Sequence, residues 1–192
     1  MKTILIVLAF LATAISASAQ ATLITIDHNK LPTAAVSNNY PQPVQIVTTA
    51  VESKMASYKV KPKKIKGYTV YQGVIVPEIS AQPLDLYFKV EQPSKRDKNS
   101  GTVTLLISGG NEVFYNEREQ ADMFAAGQSF LNNLTSDVTS SKLAFDLQRQ
   151  NKEVQSTNKK LDGYKKELSK LQRQKKYIMQ QLLTGKRRLP GF

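Results

Sequence analysis

His28 is the one imidazole in this 192-residue chain, and cysteine is absent. A Ser-His-Asp hydrolase built here would need His28 as its base, and no thiol exists to serve as a nucleophile. Gly127-Gln128-Ser129 begins like a nucleophile elbow, but Leu131 stands where a second glycine is required, and no strand is expected before it. Ser129 is therefore expected on a helix surface, and His28, beside Asp27, as a polar residue of a loop or strand end. Asp85, Glu91 and Glu78 are too scattered to act as a carboxylate pair. One histidine without cysteine leaves no ligand set for an ordinary structural or catalytic zinc ion. Gly109-Gly110 lies ahead of a helix as in a phosphate-cradling loop. It lacks the further glycines and the Gly-Lys-Ser/Thr ending, and Glu117 and Glu119 would repel an anion, so a tight turn is expected. No catalytic, cofactor-binding or metal constellation follows from the residues. The chain is expected not to be an enzyme and to use no cofactor; a hydrolase using His28 and a serine is the least implausible exception.

The spacing that does carry information is heptad spacing. Leu147, Val154, Leu161, Leu168 and Leu182 form one series; Leu143, Tyr164, Leu171 and Ile178 form a second, offset by three or four. Such alternation lines one seam of a helix and pairs helices in a coiled coil. With the first series at a and the second at d, the outward f positions are Lys152, Lys159, Lys166 and Arg173, a basic stripe behind the seam. Gln150, Thr157 and Lys175 interrupt the core positions. In a parallel homodimer, g-position Lys160 would face e-position Lys165, so modest or antiparallel pairing, or a different partner chain, is expected.

Charge follows the same division. The formal net charge is +12, and from Lys142 onward 14 basic residues face four acidic ones, a net +10. The remainder is close to neutral. This asymmetry points to an anionic partner or surface, or to a solvated helix face. A second basic run, Lys59, Lys61, Lys63, Lys64 and Lys66, is flanked by Tyr58 and Tyr68. Specific nucleic-acid binding is not expected of an exported chain, and lysine-rich helix-to-strand connections are common. Asn133-Leu134-Thr135 is formally a glycosylation sequon, of consequence only in a eukaryotic secretory pathway.

The elements that position these residues begin after an export signal. Lys2, the apolar run from Ile4 to Ile15 and the small-residue site Ala17-Ser18-Ala19 read as a signal peptide over residues 1–19, cleaved after Ala19. No other stretch is as hydrophobic, so the exported chain is expected to be soluble, without a transmembrane segment, in the periplasm or extracellular. Lacking disulfides, it must be stabilised by its core or by oligomerisation. Residues 20–116 are expected to form a small α+β head. A short strand is expected at residues 22–26, and residues 27–43, with Pro32, Pro41 and Pro43, are expected to be mostly irregular with a helical turn near Ala34. Val44, Val47, Val51 and Met55 recur as one face of a helix. Three strands follow: Tyr68, Val70, Val74 and Val76 share a face of the first. Leu84, Leu86, Phe88 and Val90 share a face of the second, opposite Asp85, Lys89 and Glu91, and Val103, Leu105 and Ile107 line the third. Short connections favour an antiparallel meander of three to four strands, with the Val44 helix on its apolar face.

Residues 117–184 are expected to form one long basic helix. Asn116 and Glu119 have the spacing of a capping box. Phe124, Leu131, Leu134, Val138 and Phe145 carry apolar periodicity into it, and the Ser/Thr-rich residues 135–141 contain no Gly or Pro to break it. Gly163 weakens the helix, and Gly185, the Lys186-Arg187-Arg188 run and Pro190 are expected to end it, leaving a short basic tail at 185–192.

Several strings together carry a resemblance: Ala17-Ser18-Ala19-Gln20, Asn29-Lys30-Leu31-Pro32, Leu84-Asp85-Leu86-Tyr87-Phe88-Lys89-Val90, and Leu106-Ile107-Ser108-Gly109-Gly110-Asn111 entering a Lys-rich helix. In these the chain resembles a family of uncharacterised secreted proteins of Bacteroidota-type bacteria with a small α+β head and a long C-terminal helix. The resemblance implies export and that architecture; it implies no activity and no site residue. The reading is an oligomeric envelope scaffold or adaptor, pairing with itself or another envelope protein. The alternative is a binder of anionic surfaces such as lipopolysaccharide, acidic lipid or nucleic acid.

Overall fold

A computed structural model describes residues 20–186; the expected signal at 1–19 and the end of the tail at 187–192 lie outside the described residues. The chain folds as β1 (Thr22–His28), β2 (Leu31–Tyr40), α1 (Val44–Ala56), β3 (Lys63–Ile65), β4 (Tyr68–Val76), β5 (Ser80–Glu91), β6 (Gly101–Ser108) and α2 (Ala121–Lys186). The strands form one six-stranded sheet in the order β1-β2-β6-β5-β4-β3, every neighbouring pair antiparallel. The α+β class, the β4-β5-β6 meander and the single packed helix are as the patterning implies. The sheet is wider, because β2 and β3 join it.

Residues 27–43, expected to be irregular, are mostly strand. Asn29 and Lys30, at φ 54° and 65°, make the two-residue left-handed turn that matches hairpin twist, and β2 returns along β1. Pro32 does no harm, because β6 pairs only with Val36 to Tyr40 and leaves that edge of β2 free of ladder bonds there. The polar residues of β2 are bound from across the fold: Asn38 Nδ2 and the Tyr40 hydroxyl both donate to the Leu131 carbonyl of α2. Tertiary bonds thus hold a segment whose composition suggests a loop.

The alternation expected in β4 is also corrected. Tyr68 and Val70 belong to one face, whereas Tyr71, Val74 and Val76 belong to the other. The β4–β5 register shifts between Tyr71 and Val74, where Gly73 takes φ 61°. A bulge inserts a residue and reverses which side chains point inward. Asp85, expected on the wetter face, is buried and accepts the Gly73 N–H at 2.7 Å, closing that bulge.

The main core lies on one sheet face. Ile46, Val47, Ala50, Val51 and Met55 of α1, with Phe124, Phe130, Leu131, Leu134 and Val138 of α2, cover Leu84, Leu86, Phe88, Val103, Leu105 and Ile107. Gly127 lets α2 approach closely: a Cβ there would lie 3.3 Å from Ile107 Cδ1 and Val36 Cγ2. The opposite face holds a smaller cluster of Ala35, Tyr68, Val70, Tyr87 and Leu106, edged by half-buried Ile24, Ile26, Ile65 and Phe114.

Two ends of α2 differ from expectation. Asn116 does not cap it: its side chain accepts the Arg118 N–H at 3.0 Å in a separate turn, and the helix begins at Ala121. Gly185 is not a stop, since α2 includes it and reaches Lys186. Residues 135–141 do not break the helix. Their hydroxyls bond back within it, Ser136 to the Asn133 carbonyl and Thr139 to the Thr135 carbonyl, both at 2.9 Å. By its contacts the chain divides into two units at Leu143 and Ala144.

Candidate functional site

The described residues from Leu147 to Thr184 are almost all exposed. The nine seam residues from Leu143 to Leu182 are between 48% and 68% exposed, Leu161 least and Tyr164 most. The same periodicity has a different fate in the first unit, where Phe124, Leu131, Leu134 and Val138 are buried; Phe145, next in that series, is exposed. One helix therefore carries a covered apolar stripe and then an uncovered one. Between Leu161, Tyr164, Leu168 and Leu171 the side chains frame a shallow apolar groove, of the kind into which a facing helix inserts its knobs. Tyr177, Met179 and Leu183, which lie off the seam, are exposed as well, so the apolar surface broadens near the end. Heptad bookkeeping misses these three because it counts only a and d.

The stripe residues Lys152, Lys159, Lys166 and Arg173 are exposed, and seven-residue spacing sets them about 10 Å apart along the helix. Among the described residues none of the four makes an ion pair, whereas Arg149 pairs with Asp146 at 3.3 Å. Four cations in a row at that spacing repel one another weakly in water and lower their energy when an anion approaches.

Candidates in the head resolve into structural roles. Ser129 is exposed and its hydroxyl donates to the Ala125 carbonyl of its own helix. Glu78 pairs with Lys54 at 3.0 Å and Glu91 with Lys89 at 2.8 Å, each raising the lysine's pKa chiefly through the hydrogen bond. Gly109-Gly110 forms the expected tight turn, with the Val113 N–H on the Gly110 carbonyl at 3.0 Å. The lysine run is partly committed: Lys63 donates to Gln72, Lys64 to Thr69 and Lys66 to Asn29. Tyr68, which would have flanked that run as a stacking platform, is buried. No group of three metal-ligating side chains occurs among the described residues.

His28 is more unusual than a strand-end polar residue. It is buried at the end of β1, edge-on to Tyr68, Tyr87 and Phe114 with ring centroids 5.2, 6.2 and 4.8 Å away. Among the described residues Nε2 has no hydrogen-bond partner. Above it three turns are tied together: Asn29 Nδ2 donates to Glu112 Oε2 at 3.3 Å, and Lys66 Nζ donates to Asn29 Oδ1 at 3.0 Å. Burial lowers the imidazole pKa, opposed by the charge of Glu112 and assisted by that of Lys66. The burial disfavours the protonated ring.

No protein-family model matches the chain, and no curated protein matches it either. Among the described residues no helix is long and apolar enough to cross a membrane.

Proposed function

We propose that this chain is a non-enzymatic exported protein, periplasmic or released, that serves as an oligomeric scaffold or adaptor through its heptad helix. The observation that supports this reading is the uncovered seam of nine residues on a helix that runs on to Lys186. Helices in water owe most of their stability to burying an apolar face, and lone helical segments are marginal. Burial is worth about 25 cal/mol per Å² of apolar surface, so pairing this stripe supplies what the lone helix lacks. The partner is a second copy or another envelope protein with a matching seam. Sedimentation of the chain from Gln20 onward, over a range of concentrations and salt, tests it. Concentration-dependent association, weakened on Leu161→Asp with Leu168→Asp, is expected. A monomer at all concentrations, with no helical partner recovered from the envelope, overturns it.

A second reading is favoured by the unpaired stripe: the helix binds an anionic surface, such as lipopolysaccharide phosphates, acidic lipid or released nucleic acid. Replacing Lys152, Lys159, Lys166 and Arg173 by Gln should abolish binding to anionic vesicles and leave helicity intact. Indifference of the wild-type chain to anionic vesicles and polyanions at low salt removes this reading.

A further inference from the structure

We infer that β1 is a docking edge for β1 of a second copy of this chain, the two strands pairing antiparallel about Thr25 to join two sheets into one. β1 is an end strand of the sheet. The left-handed Asn29-Lys30 turn makes His28 and Leu31 a hydrogen-bonded pair, so Ile26, Ile24 and Thr22 also bond inward to β2. Pro32, which has no N–H to give, stands opposite Asp27, as that phase requires. The backbone groups of Leu23, Thr25 and Asp27 therefore point away from the sheet.

Ala21 shares their phase, and there the edge is capped. Its N–H donates to Asn132 Oδ1 at 2.8 Å, and its carbonyl accepts Gln128 Nε2 at 3.3 Å. Two side chains one turn apart on α2 thus stand in for a neighbouring strand. From Leu23 to Asp27 no described residue does so. The other end of the sheet is guarded differently: β3 is three residues long, follows Pro62 and carries Lys63 and Lys64, all devices that deter strand addition. β1 has seven residues, no proline and no lysine.

The free edge is self-complementary. Pairing about Thr25 sets Leu23 opposite Asp27 of the second copy and Thr25 opposite Thr25, which gives about six backbone hydrogen bonds. Asp27 is the only charged side chain of β1 and meets a leucine, so no like charges oppose one another. On the open face Ile24 meets Ile26 of the second copy, extending the half-covered cluster to which both belong. The second copy's turn at Asn29 falls opposite Ala21, where α2 already occupies the edge. The pairing ends where the free backbone ends.

The test uses the chain from Gln20 onward carrying Leu161→Asp and Leu168→Asp, so that helix pairing does not mask the edge. Sedimentation should show a dimer at high concentration, and amide exchange at Leu23, Thr25 and Asp27 should slow at least about tenfold between dilute and concentrated protein. Thr25→Lys and Thr25→Asp, each at an exposed position that meets itself across the pair, should each give a monomer. Mixing the two should restore a dimer. A seam-broken chain that stays monomeric, or exchange at these amides that is independent of concentration, overturns the inference and leaves the helix reading standing. A dimer that survives Thr25→Lys also overturns it. Association of the wild-type chain that is unchanged by Leu161→Asp with Leu168→Asp would do the reverse, removing the seam reading alone.

Discussion

Phe88 and Tyr87 are neighbours on β5 that face opposite sides of the sheet, and the residues around them respond to different variables. Phe88 is 1% exposed, edge-on to Tyr71 at 5.9 Å and tilted against Phe130 at 6.2 Å. Truncation removes the ring and leaves a cavity bounded by β4 and α2, which cannot both collapse into it. Phe88→Ala should cost about 3–5 kcal/mol, read from urea denaturation of the head. On the other side, Tyr87 helps enclose His28. Burial lowers the folded-state pKa of that ring below its ordinary 6.5, so the unfolded chain takes up its proton first as pH falls. The contribution of neutral His28 is fully present above about pH 6.5 and is lost as pH drops from there towards the folded value. His28→Phe keeps the aromatic packing and removes the titration. The wild-type denaturation midpoint should therefore fall between about pH 7.5 and about pH 5 by more than that of His28→Phe. Equal slopes for the two proteins would mean that the ring is not held neutral.

At the scale of elements, glycine separates the two parts of α2. Gly163 has open space where a Cβ would go, whereas Gly127 faces Ile107 and Val36 at 3.3 Å. Gly163→Ala should stabilise the helix by about 1 kcal/mol, seen as higher helicity and a higher melting temperature. Gly127→Leu should destabilise the head by about 1–3 kcal/mol, because the added atoms must push two packed strands away. The long helix, the Val44 helix and the meander were legible because their apolar residues repeat with the period of the element. β2 was not, because Asn38 Nδ2 and the Tyr40 hydroxyl find their acceptor in a carbonyl about 90 residues away. The facing of β4 was misread for a related reason: a bulge closed by Asp85 interrupts the alternation, and nothing in the residues of β4 alone marks the partner. The seam and stripe were legible as a pattern. The burial of His28 was not, since its aromatic neighbours arrive from β4, β5 and the loop at Phe114.

For the molecule as a whole, the uneven charge decides between the two readings of the helix. From Lys142 onward the chain carries a net +10, while the rest is near neutral. Two such helices side by side repel, and the repulsion is screened within about 10 Å at 0.1 M salt. Pairing of two copies through the seam should therefore strengthen as salt is raised from low to moderate concentration, the apolar contribution being little changed over that range. Attachment to an anionic surface has the opposite sign, since salt screens an attraction and, for nucleic acid, cancels the gain from releasing counterions. Lys175→Leu sharpens the contrast. It replaces a charged a position by the residue the seam favours, removes one positive charge per chain from the pairing face, and leaves Lys152, Lys159, Lys166 and Arg173 in place. Sedimentation should show tighter association of Lys175→Leu at every salt concentration, with the largest gain at low salt, where the repulsion it relieves is least screened. Vesicle binding by the same variant should change little. Weaker association of Lys175→Leu would mean that the heptad register is shifted and that Lys175 lies on an outer face.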